Sequence, residues 1–242
     1  MDKHEPVFNV PGAVLATLAV LGAVHLGLTW LSEDARDWWL LALAFIPSRY
    51  AEQAGTLPGG TIASFTSPLT HMAVHGGWAH LLINSAWLLA FGSVICRRCG
   101  GMRYLALAIG SGLAGALTFL VFHPSQEIPM VGASGAISGL MGATMRFFFS
   151  AINSGRFWQL REEPDRIARM NLATAFKDRR FLTTTIFFVT LNLLAIWGIG
   201  SLGAAGPIAW EAHLGGYFFG LFAFALFDTA LQKSSPHATK VE

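Results

Sequence analysis

The chain has 242 residues, of which 53% are hydrophobic and only 12% charged, with a mean hydropathy of +0.51. A soluble domain carries about 25% charged residues, so this chain has too little charge to clothe a water-soluble globule and too much apolar content to be disordered. A net charge of +2 is too small for a nucleic-acid footprint, which leaves a polytopic membrane protein with no nucleic-acid partner.

Six apolar stretches reach the roughly 17–25 residues that a bilayer crossing takes, and each is expected to be helical because lipid offers no partner to unpaired backbone groups. The first, 12–31, follows Met1-Asp2-Lys3-His4-Glu5, which is not the basic leader of a secretory signal, and is read as an uncleaved helix. The run from Trp38 to Ile46 would reach only about 14 Å as a helix, under half of a ~30 Å hydrocarbon core. This segment, 38–46, is expected at the interface, with Trp38 and Trp39 among the headgroups.

The second span, 78–96, follows His71 and His75 and carries His80 and Asn84 at i, i+4, on one face. It ends in Cys96-Arg97-Arg98-Cys99. Two thiols are too few for a closed zinc site and are read as free thiols at a helix end on the reducing side. The third span, 104–122, holds Ser111 between two glycines, which suits close packing. His71 and His123 flank spans at the outer interface, where an imidazole can be wet. The fourth span, 131–150, opens Gly132-Ala133-Ser134-Gly135, and Gly132, Gly135, Gly139 and Gly142 are spaced to form one glycine face.

The loop 151–180 is basic. Pro164 is placed to open a short helix, Ile167, Met170 and Leu172 to share a face, and Asp165 to pair with Arg169. A surface helix on anionic headgroups is the expectation. The fifth span, 182–203, contains Asn192, read like His25 of the first span as a satisfied packing or snorkelling group. The sixth, 211–231, opens Glu211-Ala212-His213 and continues into Gly216-x-x-x-Gly220. Asp228 is expected to reach water at its inner end.

Of the 16 Lys and Arg residues, all but Arg36 and Arg49 fall on one side if the chain starts inside. By the positive-inside rule both termini are then cytoplasmic. Spans two, four and six run from outside to inside, and His80, Ser134 and His213 lie within a turn or two of the outer edge, at 1.5 Å per residue. Asn84 is one turn deeper. The glycine faces of spans four and six begin beside Ser134 and His213, so packing them brings serine and histidine together. A serine hydroxyl needs a base to take its proton, and a neutral imidazole is a suitable one. Asn84, His80 and the Ser134 backbone N–H can hold an oxyanion. No carboxylate is evident as a third member, which makes a Ser–His dyad performing acyl transfer to water.

These motifs resemble the rhomboid family of intramembrane serine proteases. The family's G-x-S-G corresponds to Gly132 through Gly135, its H-x-x-x-x-H-x-x-x-N to His75, His80 and Asn84, and its histidine followed by G-x-x-x-G to His213, Gly216 and Gly220. The resemblance covers nearly the whole chain and implies an all-α, six-transmembrane-helix bundle over 1–242 as one domain. It implies Ser134 as nucleophile, His213 as base, His80 and Asn84 at the oxyanion, and His75 supporting the outer loop. Gly132, Gly135, Gly216 and Gly220 would be structural. It also implies a part-membrane first outer loop containing Trp38-Trp39, and a fifth span and a loop around Pro207 that gate lateral access. Substrates would be single-pass membrane proteins cut near the outer face after a small residue, with membrane lipids as the other partners.

No cofactor or metal is expected, because His71-x-x-x-His75 has Met72 where H-E-x-x-H needs its glutamate. The location implied is a bacterial inner membrane. Ser138 stands where some family members carry a tyrosine against the catalytic histidine, so another group must orient His213. The alternative is a catalytically inactive rhomboid-like protein that holds client helices. The presence of both Ser134 and His213 argues against it.

Overall fold

The computed structural model describes residues 10–51, 55–197 and 208–228. Four helices among them are long and apolar enough to cross a bilayer by length and composition. These are α1 (Gly12–Thr29), α4 (Trp78–Cys99), α5 (Gly101–Phe122) and α6 (Ser134–Asn153). Between α1 and α4 lie α2 (Glu33–Leu43) and α3 (Gly60–Thr70). The chain continues through α7 (Arg179–Leu194) and α8 (Trp210–Phe227). At 1.5 Å per residue the 16 residues of α7 and the 18 of α8 reach about 24 and 27 Å. No strand occurs among the described residues, only an isolated bridge between Phe45 and Met130. The protein is an all-α, multi-pass integral membrane protein. Exposed Phe65, Leu117, Val121 and Leu226 give it the apolar exterior that lipid requires and water would penalise. The C-terminal end of span five (198–203), Pro207, Lys3, Lys233 and Lys240 lie outside the described residues.

The innermost helix is α6, with 78% of its apolar window buried, against 22–39% for α1, α4 and α5. Its small residues allow this. Gly135 lies against the Ala212 carbonyl of α8, where a Cβ would come within 3.3 Å. A Cβ on Gly142 would overlap the Tyr217 carbonyl, one on Gly216 the Gly135 carbonyl, and one on Gly220 the Gly139 carbonyl. A Cβ on Gly139 would also overlap Ser111 Oγ. The two helices therefore meet backbone to backbone, the packing that membrane helices reach through small residues. Gly132 is not part of this face. It precedes the helix with φ +119, a conformation that L side chains rarely adopt.

The segment between α1 and α4 is more structured than its composition suggests. The Trp38–Ile46 run is divided, because α2 begins at Glu33 and ends at Leu43 while Phe45 and Ile46 turn inward and are buried. Phe45 exchanges backbone hydrogen bonds with Met130 at 3.0 and 2.8 Å. Arg49, one of the two basic residues expected outside, is buried and donates to the carbonyls of Leu41 and Pro58 at 2.6 and 2.7 Å. The α3 helix has no counterpart in the sequence reading. It is short and contains Pro68, but Ile62, Phe65 and Leu69 form an exposed apolar face at helical spacing.

The loop 151–180 corrects three expectations. Pro164 opens only a 3-10 turn, Pro164–Arg166, and the segment is clasped by buried arginines instead of lying as a surface helix. Arg169 pairs with Asp228 (Nε to Oδ2, 3.0 Å) and not with Asp165. Asp228 does not reach water. Its side chain is fully buried and receives Arg98 Nε and Nη2, each at 3.0 Å. Arg98 also donates Nη1 to the carbonyls of Pro164 and Ile167 and lies 4.3 Å over the Phe147 ring. Arg146 donates to Met170 O at 3.0 and 2.9 Å and to Leu221 O at 2.8 Å. The end of α4, the loop and the end of α8 are thereby tied into one unit. Cys96 and Cys99 are free and buried beside it. Breaking a buried pair leaves an uncompensated charge, at a cost of about 3–5 kcal/mol. Asp228→Ala is expected to lower the thermal midpoint in detergent far more than Asp165→Ala, and equal midpoints would contradict this role.

Candidate active site

The N-terminal ends of α4, α6 and α8 meet at one place. Ser134 is the first residue of α6, His80 the third of α4 and His213 the fourth of α8. Ser134 Oγ lies 2.7 Å from His213 Nε2, and both residues are half-buried, so a small reagent can reach them. A hydroxyl aimed at an imidazole nitrogen at this distance is the arrangement a general base needs.

The other ring nitrogen, His213 Nδ1, is 2.8 Å from Asn192 Oδ1 on α7. Asn192 Nδ2 in turn donates to Phe188 O at 2.9 Å. Asn192, expected to be a packing or snorkelling group, instead contacts the site. Its one available signal was that an amide is costly in a membrane helix without a partner. Ser138 is buried within α6.

Gly132 and its neighbours shape the space ahead of the serine. A Cβ on Gly132 would lie 2.7 Å from His80 Cε1 and Nε2 and 3.8 Å from Asn84 Nδ2. The missing side chain thus lets the His80 ring and the Asn84 amide come up to the turn that presents Ser134. Asn84 Nδ2 uses one hydrogen on His80 O, at 3.0 Å, and retains a second. The first N–H groups of α6 have no intrahelical partner and carry the positive end of its dipole. Gly132 N donates to His71 O at 2.9 Å, which fixes the turn.

Besides His80 and His213, four further histidines are among the described residues. His75 packs edge-on to His80, with ring centroids 5.0 Å apart. His25 packs edge-on to Trp78 at 4.6 Å and is buried with neither ring nitrogen hydrogen-bonded, so it packs but is neither snorkelling nor satisfied. His71 is 3% exposed and bonded to Ser67 O at 3.0 Å, so it is not the wet interfacial imidazole expected. His123 bonds buried Glu211 at 2.7 Å and ties the end of α5 to the start of α8.

Burial pushes His71 and His75 down to about 4, with His80 adding to the effect at His75. Unfolded imidazoles protonate near 6.5, so between about 4 and 6.5 the folded state holds fewer protons than the unfolded one. The stability present above pH 6.5 is therefore lost as pH falls through this window. The thermal midpoint in detergent is expected to be lower at pH 5 than at pH 7.5, and a rise on acidification would contradict it.

The rhomboid domain family model matches residues 63–228, which contain all of these groups except His25. The chain belongs to the rhomboid family. It is 32% identical to RHOMBOID-like protein 5 of Arabidopsis thaliana over 149 residues, 62% of this chain and 40% of that protein. It is 27% identical to Rhomboid protease GluP of Bacillus subtilis over 157 residues, 65% of this chain and 25% of that one. Identity to Rhomboid-related protein 2 of Mus musculus is also 27%, over 169 residues, 68% of this chain and 50% of the relative. The matched stretch thus spans a quarter to a half of these rhomboid relatives.

Proposed function

We propose that this rhomboid-family protein is an intramembrane serine endopeptidase. The observation that carries the reading is the 2.7 Å contact between Ser134 Oγ and His213 Nε2. His213 takes the hydroxyl proton as Ser134 attacks a peptide carbonyl, and later returns it to the leaving amine. The oxyanion is held by the Ser134 N–H, the free amide hydrogen of Asn84 and the His80 ring, at the positive end of α6. Water then resolves the acyl-enzyme. His75 and Gly132 act by placing His80.

Substrates are proposed to be single-pass membrane proteins. A site at the ends of three spanning helices, within a turn or two of the surface, suits a bond near the outer face. Membrane lipids are the surrounding partners. The Lys and Arg distribution supports cytoplasmic termini, and a bacterial inner membrane is the proposed location.

The test is a fluorophosphonate probe on the purified protein in detergent, followed by peptide mapping. Covalent labelling confined to Ser134 is expected. A monodisperse protein that takes no label, yet retains client helices, would be the inactive rhomboid-like binding protein instead.

A further inference from the structure

The hydrogen bonds around Asn192 have a forced direction. Phe188 O, a backbone carbonyl, can only accept, so the end of the Asn192 amide facing it at 2.9 Å is the NH2. The opposite end is the carbonyl oxygen, which also only accepts, and it faces His213 Nδ1 at 2.8 Å. The hydrogen of a neutral His213 must then sit on Nδ1. Nε2 is left with its lone pair, aimed at Ser134 Oγ. A carbonyl on α7 thus dictates the tautomer of an imidazole on α8 and the direction of the serine hydroxyl on α6.

The register of α7 against α8 is built for this contact. One turn from His213, Tyr217 stacks on Phe188 with ring centroids 4.6 Å apart, and its hydroxyl meets Thr185 Oγ1 at 2.8 Å. Asn192 is one turn from Phe188 in the other direction, which sets its side chain opposite His213. An amide also suits the depth, since a carboxylate would bring a charge into the membrane interior.

We propose that Asn192 is the positioning residue of the Ser134–His213 pair, holding the imidazole in its Nδ1–H form and filling the third place of the site. This rests on the protease reading above. In the Ser–His–Asp template, asparagine in the third place stabilises the wrong tautomer and lowers kcat about 10⁴-fold. Here Phe188 O occupies the amide N–H and leaves only oxygen for the ring.

The test compares Asn192→Ala and Asn192→Asp with wild type, using probe labelling and cleavage of a model single-pass helix across pH. Asn192→Ala is expected to lower kcat by roughly 10–100-fold, the scale of a misplaced catalytic group, with KM changed less than threefold. Asn192→Asp keeps an acceptor at Nδ1. It is expected to restore kcat to within about tenfold of wild type and to move the acid limb of the profile to higher pH, because a carboxylate there favours the protonated ring. His80, the ionisable group acting on His213 from across the site, is unchanged in both variants. Asn192→Leu, of similar volume, replaces the alanine variant if that does not fold. Alanine and leucine variants as fast as wild type at every pH would overturn the inference, as would an aspartate variant as impaired as alanine with an unmoved limb. A wild type that takes no label would instead overturn the protease reading, and this inference with it.

Discussion

Ser134→Ala is expected to abolish fluorophosphonate labelling and to lower cleavage of a single-pass substrate by roughly 10⁴–10⁶-fold, the range seen when the nucleophile of a serine protease is removed. His213→Ala should cost nearly as much. The two side chains are hydrogen-bonded at 2.7 Å, and in the proposed mechanism they act in one step. Their losses should therefore not add, and the double variant should be about as slow as either single one. Ser134 is half-buried at the very start of α6, so its loss should leave the thermal midpoint almost unchanged. A folded Ser134→Ala protein that still takes the label would move the nucleophile elsewhere. A double variant much slower than both single ones would show that the two residues do not work together.

Gly220→Val is expected to destroy both fold and activity. The added Cβ would fall on the Gly139 carbonyl, which is helix backbone and cannot rotate aside as a side chain could. Overpacking of a core costs about 1–3 kcal/mol when side chains can adjust. Here two helices must part, so the cost should lie at or above the top of that range. Parting α6 from α8 also separates Ser134 from His213, because each sits near the start of one of these helices. The matched control is Gly22→Ala on α1, where nothing lies within 4 Å of the new atom. It should leave the melting temperature within a degree or two and activity unchanged. Comparable losses in the two variants would mean that the effect at Gly220 comes from helix propensity and not from the contact.

Both predictions rest on features that can be read along single segments of the chain. A spanning helix announces itself by length and hydropathy because lipid satisfies no backbone group. A helix that must approach another closely shows glycine at three- and four-residue spacing. Gly135, Gly139, Gly142, Gly216 and Gly220 carry that signal, and with it the meeting of Ser134 and His213. Gly132 carries the same residue type for a different reason, a positive φ outside the helix that admits His80. Spacing alone does not distinguish the two uses.

What remained illegible depends on pairs far apart in the chain. Asn192 and His213 are 21 positions apart, and nothing on α7 alone says that its amide will find a ring and not a packing niche. Arg98 and Asp228 are separated by 130 positions, and each looks like an ordinary charge at the inner end of a span. The short helix α3 was hidden by its length and its proline, although its apolar spacing was present.

The amino-acid sequence by itself therefore determined the membrane fold class, the helix faces that must touch and the hydroxyl and imidazole they bring together, since each follows from what one segment of chain must bury or approach. Only the tertiary structure decided which partner each lone polar side chain meets. That choice includes the asparagine that meets His213 Nδ1 and the carboxylate that receives Arg98 and Arg169. It depends on the relative register of separate helices, which local periodicity does not encode.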